Sequence, residues 1–264
     1  MVSRLMRPKS SGNNYRRLNA LGKRGERGGM MQVPSGRVFE RDDLELSRLM
    51  VANRFIENQK QAAVLTSGMS TYVYVSGRED LTDKNLFEWQ VGRKIARLVK
   101  QYGESEYNQR QQCLIGIPTA ATAMAQAAAM VSYAENILVN GQYICHRTMR
   151  ENPKRHGLHQ GWVNGEPQPD IHVYWTVENV VTSGTTLITI AERLRQSGYP
   201  VEDMPILVFV DRQQGGIKKL EEAGFRKIVV AYNLLDLVFI FGELGLWSKN
   251  QVKAVEDEIA ANQF

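Results

Sequence analysis

Apolar residues recur along this chain in two patterns, one typical of helices and the other of strands. Apolar positions three and four residues apart predict a helix over residues 44–61 and a second one from an N-cap at Asp83 to a stop at Gly103. Between them, residues 62–77 lack that period and predict extended chain. From residue 113 onward, short apolar runs typical of buried strands alternate with helical patterns.

This alternation predicts one α/β domain. The predicted strands span residues 113–118, 135–147, 171–179, 205–211 and 227–234. The helices predicted between them span residues 119–130, 185–196 and 217–223, and two more helices complete the chain. Strands and helices at this spacing favour crossover connections and a mostly parallel sheet flanked by helices. We therefore expect residues 41–264 to form the domain and residues 1–40 to be a basic, disordered tail.

The composition is that of a chain that buries a core in water. Of 264 residues, 43% are hydrophobic, yet no run reaches the roughly 18 uncharged apolar residues that a membrane helix needs. The run LLDLVFIFGELGLW is interrupted by Asp236 and Glu243. Two cysteines, Cys113 and Cys145, are too few for a disulfide framework and lack metal-ligand spacing to the four histidines. We expect a cytoplasmic protein in a reducing compartment, with no membrane contact.

The net charge of +5 belongs to the first 29 residues rather than to the domain. This segment is rich in Gly, Ser and Asn and holds one acid, Glu26, against eight basic residues. They are Arg4, Arg7, Lys9, Arg16, Arg17, Lys23, Arg24 and Arg27. A solvated extension is the first interpretation; the alternatives are an organelle-targeting peptide and sequence upstream of a true start at Met30 or Met31 rather than Met1. Because Tyr15 is its one aromatic residue, nucleic-acid binding is the weakest interpretation.

Ligands of open parallel sheets bind beyond the carboxyl ends of the strands, so the segments after each predicted strand are the first candidates for a site. One of them, VVTSGTT at residues 180–186, places hydroxyl groups and a glycine before a helix. A phosphate monoester bound there would meet several donors and the positive end of a helix dipole. The alternative is a Ser/Thr-rich N-cap without a ligand. The turn alone leaves both interpretations open.

The strand ahead of that turn ends in a carboxylate and an amide, Glu178 and Asn179. An apolar strand, a polar pair, a Thr-Ser-Gly-Thr-Thr turn and a helix in this order resemble the ribose phosphate signature of the type I phosphoribosyltransferases. In that family, an acidic pair holds the ribose hydroxyls of phosphoribosyl pyrophosphate (PRPP) and the turn cradles its 5-phosphate. The resemblance implies that Glu178 and Asn179 bind PRPP. The residues that it assigns to the phosphate are Val180, Val181, Thr182, Ser183, Gly184, Thr185 and Thr186.

Four further segments are similar to those of one branch of that family, the orotate phosphoribosyltransferases. MRENPKRHG resembles the mobile catalytic loop, and GIPTAATAMA the turn on the pyrophosphate side. LVFVDRQQGG resembles the segment whose arginine contacts the orotate carboxylate. The resemblance runs in the family's order over about residues 44–250. VLTSGMSTYVYVSGR resembles the N-terminal hairpin, with matches at Leu65, Ser67, Gly68, Ser70 and Tyr74.

This resemblance implies the type I phosphoribosyltransferase fold with a small N-terminal hood. It also implies an enzyme that transfers ribose 5-phosphate from PRPP to orotate, giving orotidine 5-monophosphate and pyrophosphate in UMP biosynthesis. Mg²⁺ would be the cofactor, held by oxygens of PRPP and water rather than by protein ligands. The family's catalytic loop, here residues 150–160, reaches across a dimer interface, so a homodimer is implied as well.

Individual roles are carried over residue by residue. Arg150, Lys154 and His156 would bind the pyrophosphate as it leaves, under a closing loop. Thr182 and Arg212 would bind orotate, because a guanidinium pairs bidentately with a planar carboxylate. The catalytic residues would be Lys154, His156 and Glu178. The alternatives are a solvated basic loop and, at Arg212, a surface salt bridge at the end of a strand.

Three positions depart from the family pattern. Thr66 stands where the hairpin has a lysine, Glu151 where the catalytic loop has a second basic residue, and Asn179 where the ribose pair has a second acid. A full charge about 4 Å from a developing cation is worth up to roughly 4 kcal/mol at an effective dielectric near 20, so its loss slows turnover more than binding. Two alternatives stay open: a catalytically weakened relative that binds PRPP or a nucleotide as a regulator, and a transferase for another base.

Overall fold

A computed structural model describes residues 29–64, 70–76, 81–105, 109–152, 161–162 and 166–261. Its strands are β1 (Met31–Gln32), β2 (Val38–Phe39), β3 (Ile56–Val64), β4 (Ser70–Val75), β5 (Gln111–Gly116), β6 (Leu138–Val139), β7 (Gln142–Tyr143), β8 (Cys145–Thr148), β9 (His172–Val181), β10 (Ile206–Asp211) and β11 (Ile228–Asn233). Its α-helices are α1 (Arg41–Ala52), α2 (Asn85–Gly103), α3 (Ala120–Ala134), α4 (Thr185–Gln196), α5 (Gly216–Glu222), α6 (Leu234–Glu243) and α7 (Lys249–Ala261).

The centre of the fold is a five-stranded sheet in the order β11, β10, β9, β5, β8, with every neighbouring pair parallel. The middle strand, β9, is covered by helices and carries the fully buried Trp175 and Val177. Such burial explains why these strands read as continuous apolar runs rather than as alternating ones. The predicted α/β class with a mostly parallel sheet is confirmed.

A close contact between α2 and α3 fixes the helical layer beside β5. A Cβ atom added at Gly92 would lie 2.6 Å from the carbonyl carbon of Ala127, a separation that real side chains do not reach. The two helices therefore meet backbone against backbone, and the alanine-rich face of α3 packs on β5 and β9. This packing positions the start of α3, which directly follows the turn after β5.

The N-terminal helix is shorter than predicted. The pattern gave one helix over residues 44–61, but α1 ends at Ala52 and β3 begins at Ile56. The chain turns at Arg54, which adopts the left-handed conformation with φ 56°. β3 then pairs antiparallel with β4, and this hairpin corresponds to the expected hood.

Two further boundaries differ from the sequence predictions. Lys84, and not Asp83, is the N-cap of α2. The predicted strand over residues 135–147 is divided: β6 and β7 form a short antiparallel hairpin, and β8 alone joins the sheet. The tight turn between β6 and β7 has a left-handed Asn140, which ends the first strand early.

Residues 29–40 belong to the folded domain, so the predicted boundary at residue 40 lies too far along the chain. β1 and β2 pair antiparallel, and the turn between them is bonded to α6. Asp236 accepts hydrogen bonds from the backbone N–H and the hydroxyl of Ser35, at 3.0 and 2.7 Å. Arg37 donates to the carbonyls of Val230 and Ala231 on β11. The tail proposed for residues 1–28 lies outside the described residues.

The apolar run that contains Asp236 forms α6, a helix of 10 residues. Asp236 is 1% exposed, and its bonds to the β1–β2 turn satisfy the carboxylate inside the protein. Within the described ranges, the helices are too short or too polar to cross a membrane.

Candidate functional site

The carboxyl ends of neighbouring strands bring the segments singled out by sequence to one edge of the sheet. β9 pairs in parallel with β10, with Asp211 opposite Val181, and with β5, with Gly116 opposite Val177. On the other side of β5, Gly116 lies opposite Thr148, the last residue of β8. The loops that follow these four strands therefore start side by side, as the parallel arrangement requires.

Residues 182–184 form the turn between β9 and α4 and line part of a partly open cavity of about 120 Å³. Gly184 is the N-cap of α4 and has φ 72°, a left-handed conformation that glycine adopts without steric strain. A glycine N-cap has no side chain that could accept hydrogen bonds from the first N–H groups of the helix. The first N–H groups of α4 are therefore not capped by a side chain of Gly184 and can donate to water or to an anion.

The hydroxyl groups of the turn add further donors. Ser183 Oγ and Thr185 Oγ1 lie 3.1 Å apart, and Lys219 Nζ donates to Thr185 Oγ1 at 3.1 Å. Thr182 and Thr186 line the cavity together with Ser183. The turn thus offers hydroxyl and backbone donors around a space of roughly the size of one phosphate group.

Glu178 contributes to the same cavity from the last third of β9. It is 6% exposed, and its Oε1 accepts the backbone N–H of Asn179 at 3.0 Å. Asn179 is half-buried and is not among the described residues that line the cavity. Side chains of successive strand residues point to opposite faces, so the polar pair is divided between two sides of β9.

The loop after β8 is closed at its base. Arg150 N–H donates to the carbonyl of Gly161 at 2.9 Å, and Met149 and Trp162 form an antiparallel bridge. Among the described residues, the buried Nε of Arg150 has no hydrogen-bond acceptor. Lys154 and His156, predicted to close over pyrophosphate, lie outside the described residues.

Arg193 of α4 holds the first residues of that loop. Its Nη2 donates to the carbonyl of Arg150 at 3.0 Å, and its Nη1 donates to the carbonyl of Glu151 at 3.1 Å. The Glu151 carboxylate is exposed and lies 3.5 Å from Thr119 Oγ1, in the turn after β5. Arg193 therefore links α4, which starts at the turn after β9, to the first residues of the loop after β8. That loop is the one that resembles the family's catalytic loop.

Arg212, expected to read the orotate carboxylate, is 2% exposed and lies among four partners. Nη1 donates to the carbonyl of Val73 at 2.9 Å, and Nη2 donates to Thr71 Oγ1 at 2.7 Å, so both bonds reach β4. Nε donates to Gln214 Oε1 at 3.2 Å, and Nη2 lies 3.5 Å from Glu258 Oε1 on α7. The alternative of an exposed surface salt bridge is therefore wrong.

Burial controls the electrostatics of this strand end. Burial lowers the pKa of Arg212, and the nearby Glu258 carboxylate partly opposes that shift. Burial also raises the pKa of Asp211, although the Gln213 N–H donates to its Oδ1 and acts in the opposite direction. A second carboxylate that approached Arg212 would compete with Glu258 for one guanidinium.

Three side chains at this edge were missed by sequence reasoning: Arg193, Lys219 and Glu258. From the sequence, each is a charged residue on a helix, and such residues usually face solvent. Nothing in the local pattern separates Lys219 from Lys218, or Arg193 from Arg195. Their roles depend on contacts between segments that are distant in sequence. Thr66, the departure expected in the hairpin, lies outside the described residues.

No cluster of three or more His, Cys, Asp or Glu side chains suited to a metal occurs within the described ranges. Oxygen donors are nevertheless present at this edge, from Glu178 and from the hydroxyls of the turn. Mg²⁺ prefers oxygen ligands and retains several waters, so a metal that arrives with a phosphorylated ligand fits these donors better than a resident one.

The chain is similar in sequence to orotate phosphoribosyltransferases. The enzyme of Nostoc sp. is 28% identical over 182 residues, which make up 69% of this chain and 80% of the relative. The enzyme of Pyrococcus furiosus is 27% identical over 182 residues, 68% of this chain and 89% of the relative. No family model matches the chain. The resemblance drawn from the motifs is confirmed by these relatives.

Solved structures share the fold. The orotate phosphoribosyltransferase of Aeropyrum pernix superposes with a TM-score of 0.54 at 22% identity, over 77% of this chain and 99% of that one. The UMP synthase of Leishmania donovani superposes with a TM-score of 0.62 at 20% identity, over 83% of this chain but 42% of that one. This chain therefore spans less than half of the UMP synthase. The type I phosphoribosyltransferase fold expected from the sequence is confirmed.

Replacing Arg193 with alanine should loosen the base of the loop after β8. The variant would lose two hydrogen bonds from a charged donor to the base of the loop. We expect about 1.4 kcal/mol of that loss to appear as a higher activation free energy, so kcat for ribosyl transfer should fall by roughly tenfold. Hydrogen exchange of the Arg150 amide should accelerate, because Arg193 no longer holds the Arg150 carbonyl. Steady-state kinetics and exchange mass spectrometry measure both effects.

The matched control is Arg195→Ala, two residues further along α4. Arg195 pairs with Glu192 and Glu202 on the surface rather than with the loop. It should change neither kcat nor the exchange of the Arg150 amide. Equal behaviour of the two variants would show that Arg193 does not hold the loop.

Proposed function

We propose that this protein is an orotate phosphoribosyltransferase, which transfers the ribose 5-phosphate of PRPP to orotate and releases pyrophosphate. The observation that carries this proposal is the cavity between Glu178 and the glycine-capped start of α4. A carboxylate beside a phosphate-sized anion site is what the binding of a ribose 5-phosphate requires. The relatives of that name support the substrate assignment.

The phosphate would lie against the turn from Val181 to Thr186, where backbone N–H groups and hydroxyls converge at the positive end of α4. Glu178 would accept a ribose hydroxyl and provide negative charge near C1, where the bond to pyrophosphate breaks in an oxocarbenium-like transition state. Asn179 lies on the other side of β9 from Glu178 and does not line the cavity, so its bond to a ribose hydroxyl stays a prediction. Rigid positioning by the sheet edge lowers the barrier further, because the reacting groups are already oriented.

Pyrophosphate would leave toward the loop after β8. Arg150 would bind it through the buried Nε that the described residues leave without an acceptor. Lys154 and His156 are proposed to neutralise the departing charge, and His156 to supply a proton. Mg²⁺ would be held by the pyrophosphate and ribose oxygens and by water, and its positive charge would partly neutralise the negative charge of the diphosphate.

Orotate would bind between the end of β10 and the hairpin of β3 and β4, with Thr182 and Arg212 as its polar contacts. The guanidinium of Arg212 is held by β4 and by Glu258, so its direction is already fixed. To reach it, the orotate carboxylate must displace the Glu258 carboxylate or share its donor. A homodimer with residues 150–160 shared between subunits, and a cytoplasmic location, remain predictions.

The direct test is the loss of orotate absorbance when the purified protein is mixed with orotate, PRPP and Mg²⁺. We expect turnover that requires all three components and yields orotidine 5-monophosphate. PRPP binding by calorimetry without turnover would instead identify a regulator. Turnover of another base without turnover of orotate would overturn the substrate assignment.

Changing Asn179→Asp should raise kcat by at least about tenfold, because it restores a charge near the developing cation, and each 1.36 kcal/mol is a factor of ten in rate. The two side chains have nearly the same shape, so packing should not change. Initial rates at saturating PRPP and orotate measure the effect.

The exposed Asn85 at the start of α2 provides the control, since Asn85→Asp makes the same change in net charge outside this edge. It should leave kcat unchanged. If Asn179→Asp is no faster than Asn85→Asp, the missing charge does not limit the reaction.

Two substitutions test base recognition at Arg212. Arg212→Lys should raise the KM for orotate by about tenfold or more with little change in the KM for PRPP, because an ammonium cannot pair bidentately with a carboxylate. Glu258→Gln should lower the KM for orotate several-fold, because it removes the competing charge and keeps an oxygen that accepts the Tyr72 N–H.

Thermal melting of Arg212→Lys and Glu258→Gln separates an effect on orotate binding from an effect on the stability of the fold. Arg212→Lys loses bonds to β4 and should lower the melting temperature as well. A variant that melts earlier but keeps the wild-type KM for orotate would assign Arg212 a purely structural role.

A further inference from the structure

The turn between β9 and α4, which lines the proposed phosphate cavity, contains hydrogen-bond donors but no charged side chain. Backbone N–H groups and the hydroxyls of Thr182, Ser183 and Thr186 line its cavity, and Thr185, the first residue of α4, lies beside it with its Oγ1 3.1 Å from Ser183 Oγ. A phosphate monoester at neutral pH carries about −1.5 to −2 charges, so neutral donors alone leave most of that charge uncompensated. Among the described residues, the cationic side chain that is hydrogen-bonded to this turn is Lys219.

Lys219 reaches the turn from a different segment of the chain. It lies on α5, after β10, and its Nζ is 3.1 Å from Thr185 Oγ1. Thr185 Oγ1 is in turn 3.1 Å from Ser183 Oγ, which lines the cavity. The three polar groups form a row from α5 to the edge of the cavity. An ammonium donates up to three hydrogen bonds, so the bond to Thr185 leaves donors for a ligand.

Close packing fixes the backbone from which Lys219 extends. A Cβ atom at Gly216 would lie 2.4 Å from Val181 Cγ1 and 2.5 Å from the Thr182 carbonyl oxygen. A Cβ atom at Gly184 would lie 2.9 Å from the Gly216 carbonyl oxygen. Two glycines thus allow α5 to lie directly against the turn. One helical turn into α5, Lys219 is therefore held over the turn, and only its side chain needs to move to meet a ligand.

The neighbouring Lys218 is a surface lysine on the same helix and serves as a comparison for the contact of Lys219 with the turn. Both side chains are exposed, but of the two only Lys219 is hydrogen-bonded to the turn within the described part of the chain. Consecutive helix residues point about 100° apart, so the two ammonium groups face different directions. The contact of Lys219 thus follows from its angular position on α5 and not from local charge density.

We infer that Lys219 is a phosphate-binding residue of this site, which pairs with the 5-phosphate of PRPP and of the nucleotide product. This inference rests on the proposed function and adds a cation from α5 to the donors of the β9–α4 turn. Lys219 acts at the phosphate end and not at the reacting carbon. Its loss should therefore weaken the binding of every ligand that carries the 5-phosphate, and leave ligands without it unaffected.

Calorimetric titration of the purified full chain with ribose 5-phosphate tests the inference without requiring turnover. We expect Lys219→Ala to weaken ribose 5-phosphate about tenfold, the size of a charge-assisted hydrogen bond to phosphate. Lys219→Arg should restore most of the affinity, because the charge and the donors return. The dependence of affinity on salt should be shallower in Lys219→Ala, since one cation fewer meets the anion.

Lys218→Ala is the matched control, with the same change in net charge one residue away, and should bind ribose 5-phosphate as the wild type does. Pyrophosphate is the second probe, and its affinity should be equal in all variants. Equal ribose 5-phosphate affinities in Lys219→Ala and the wild type would overturn the inference. So would equal weakening by Lys218→Ala, a parallel loss of pyrophosphate binding, or no binding of ribose 5-phosphate by the wild type.

The outcome is separable from that of the proposed function. If the wild type does not convert orotate but binds ribose 5-phosphate through Lys219, the enzymatic proposal fails and the phosphate assignment stands. If orotate is converted and Lys219→Ala binds ribose 5-phosphate normally, the enzymatic proposal stands and Lys219 is a structural link between α5 and α4.

Discussion

The contact between the turn after β9 and the start of α5 is the constraint on which the site depends. Gly184 and Gly216 bring two backbones within a distance that excludes any side chain. This contact joins the end of β9 to the segment after β10, and it holds α4 and α5 in one fixed relation. The cavity lined by the turn, the row of hydroxyls and the ammonium of Lys219 all take their positions from it.

The segments that the sequence predicted well are those whose ends carry local signals. α4 begins after Gly184 and ends before Gly198, as predicted, because both glycines adopt left-handed conformations that stop or start a helix. The order of strands along the chain followed from their apolar runs. The composition of the turn at residues 182–184 left an anion site and a ligand-free N-cap open, and only the resemblance to a family favoured the phosphate.

The predictions that failed depend on distant contacts. Residues 56–61 are mostly polar and continue the helical spacing only weakly, whereas in the structure residues 56–58 pair with β4 as a strand. Residues 29–40 were assigned to the tail, but Ser35 bonds Asp236, 201 positions away. For the same reason no local pattern indicated that Arg193 holds Arg150 and Glu151, or that Glu258 approaches Arg212.

The position of Glu258 brings the C-terminal helix α7 to the guanidinium that is proposed to bind the substrate carboxylate. Docking of α7 and binding of a carboxylate ligand draw on the same guanidinium, so the two equilibria are thermodynamically linked, and each must weaken the other by an equal free energy. If Arg212 binds the base as proposed, this reciprocity couples the docking of α7 to the binding of the base. Substitutions in α7 that displace Glu258 would then also change the affinity for the substrate.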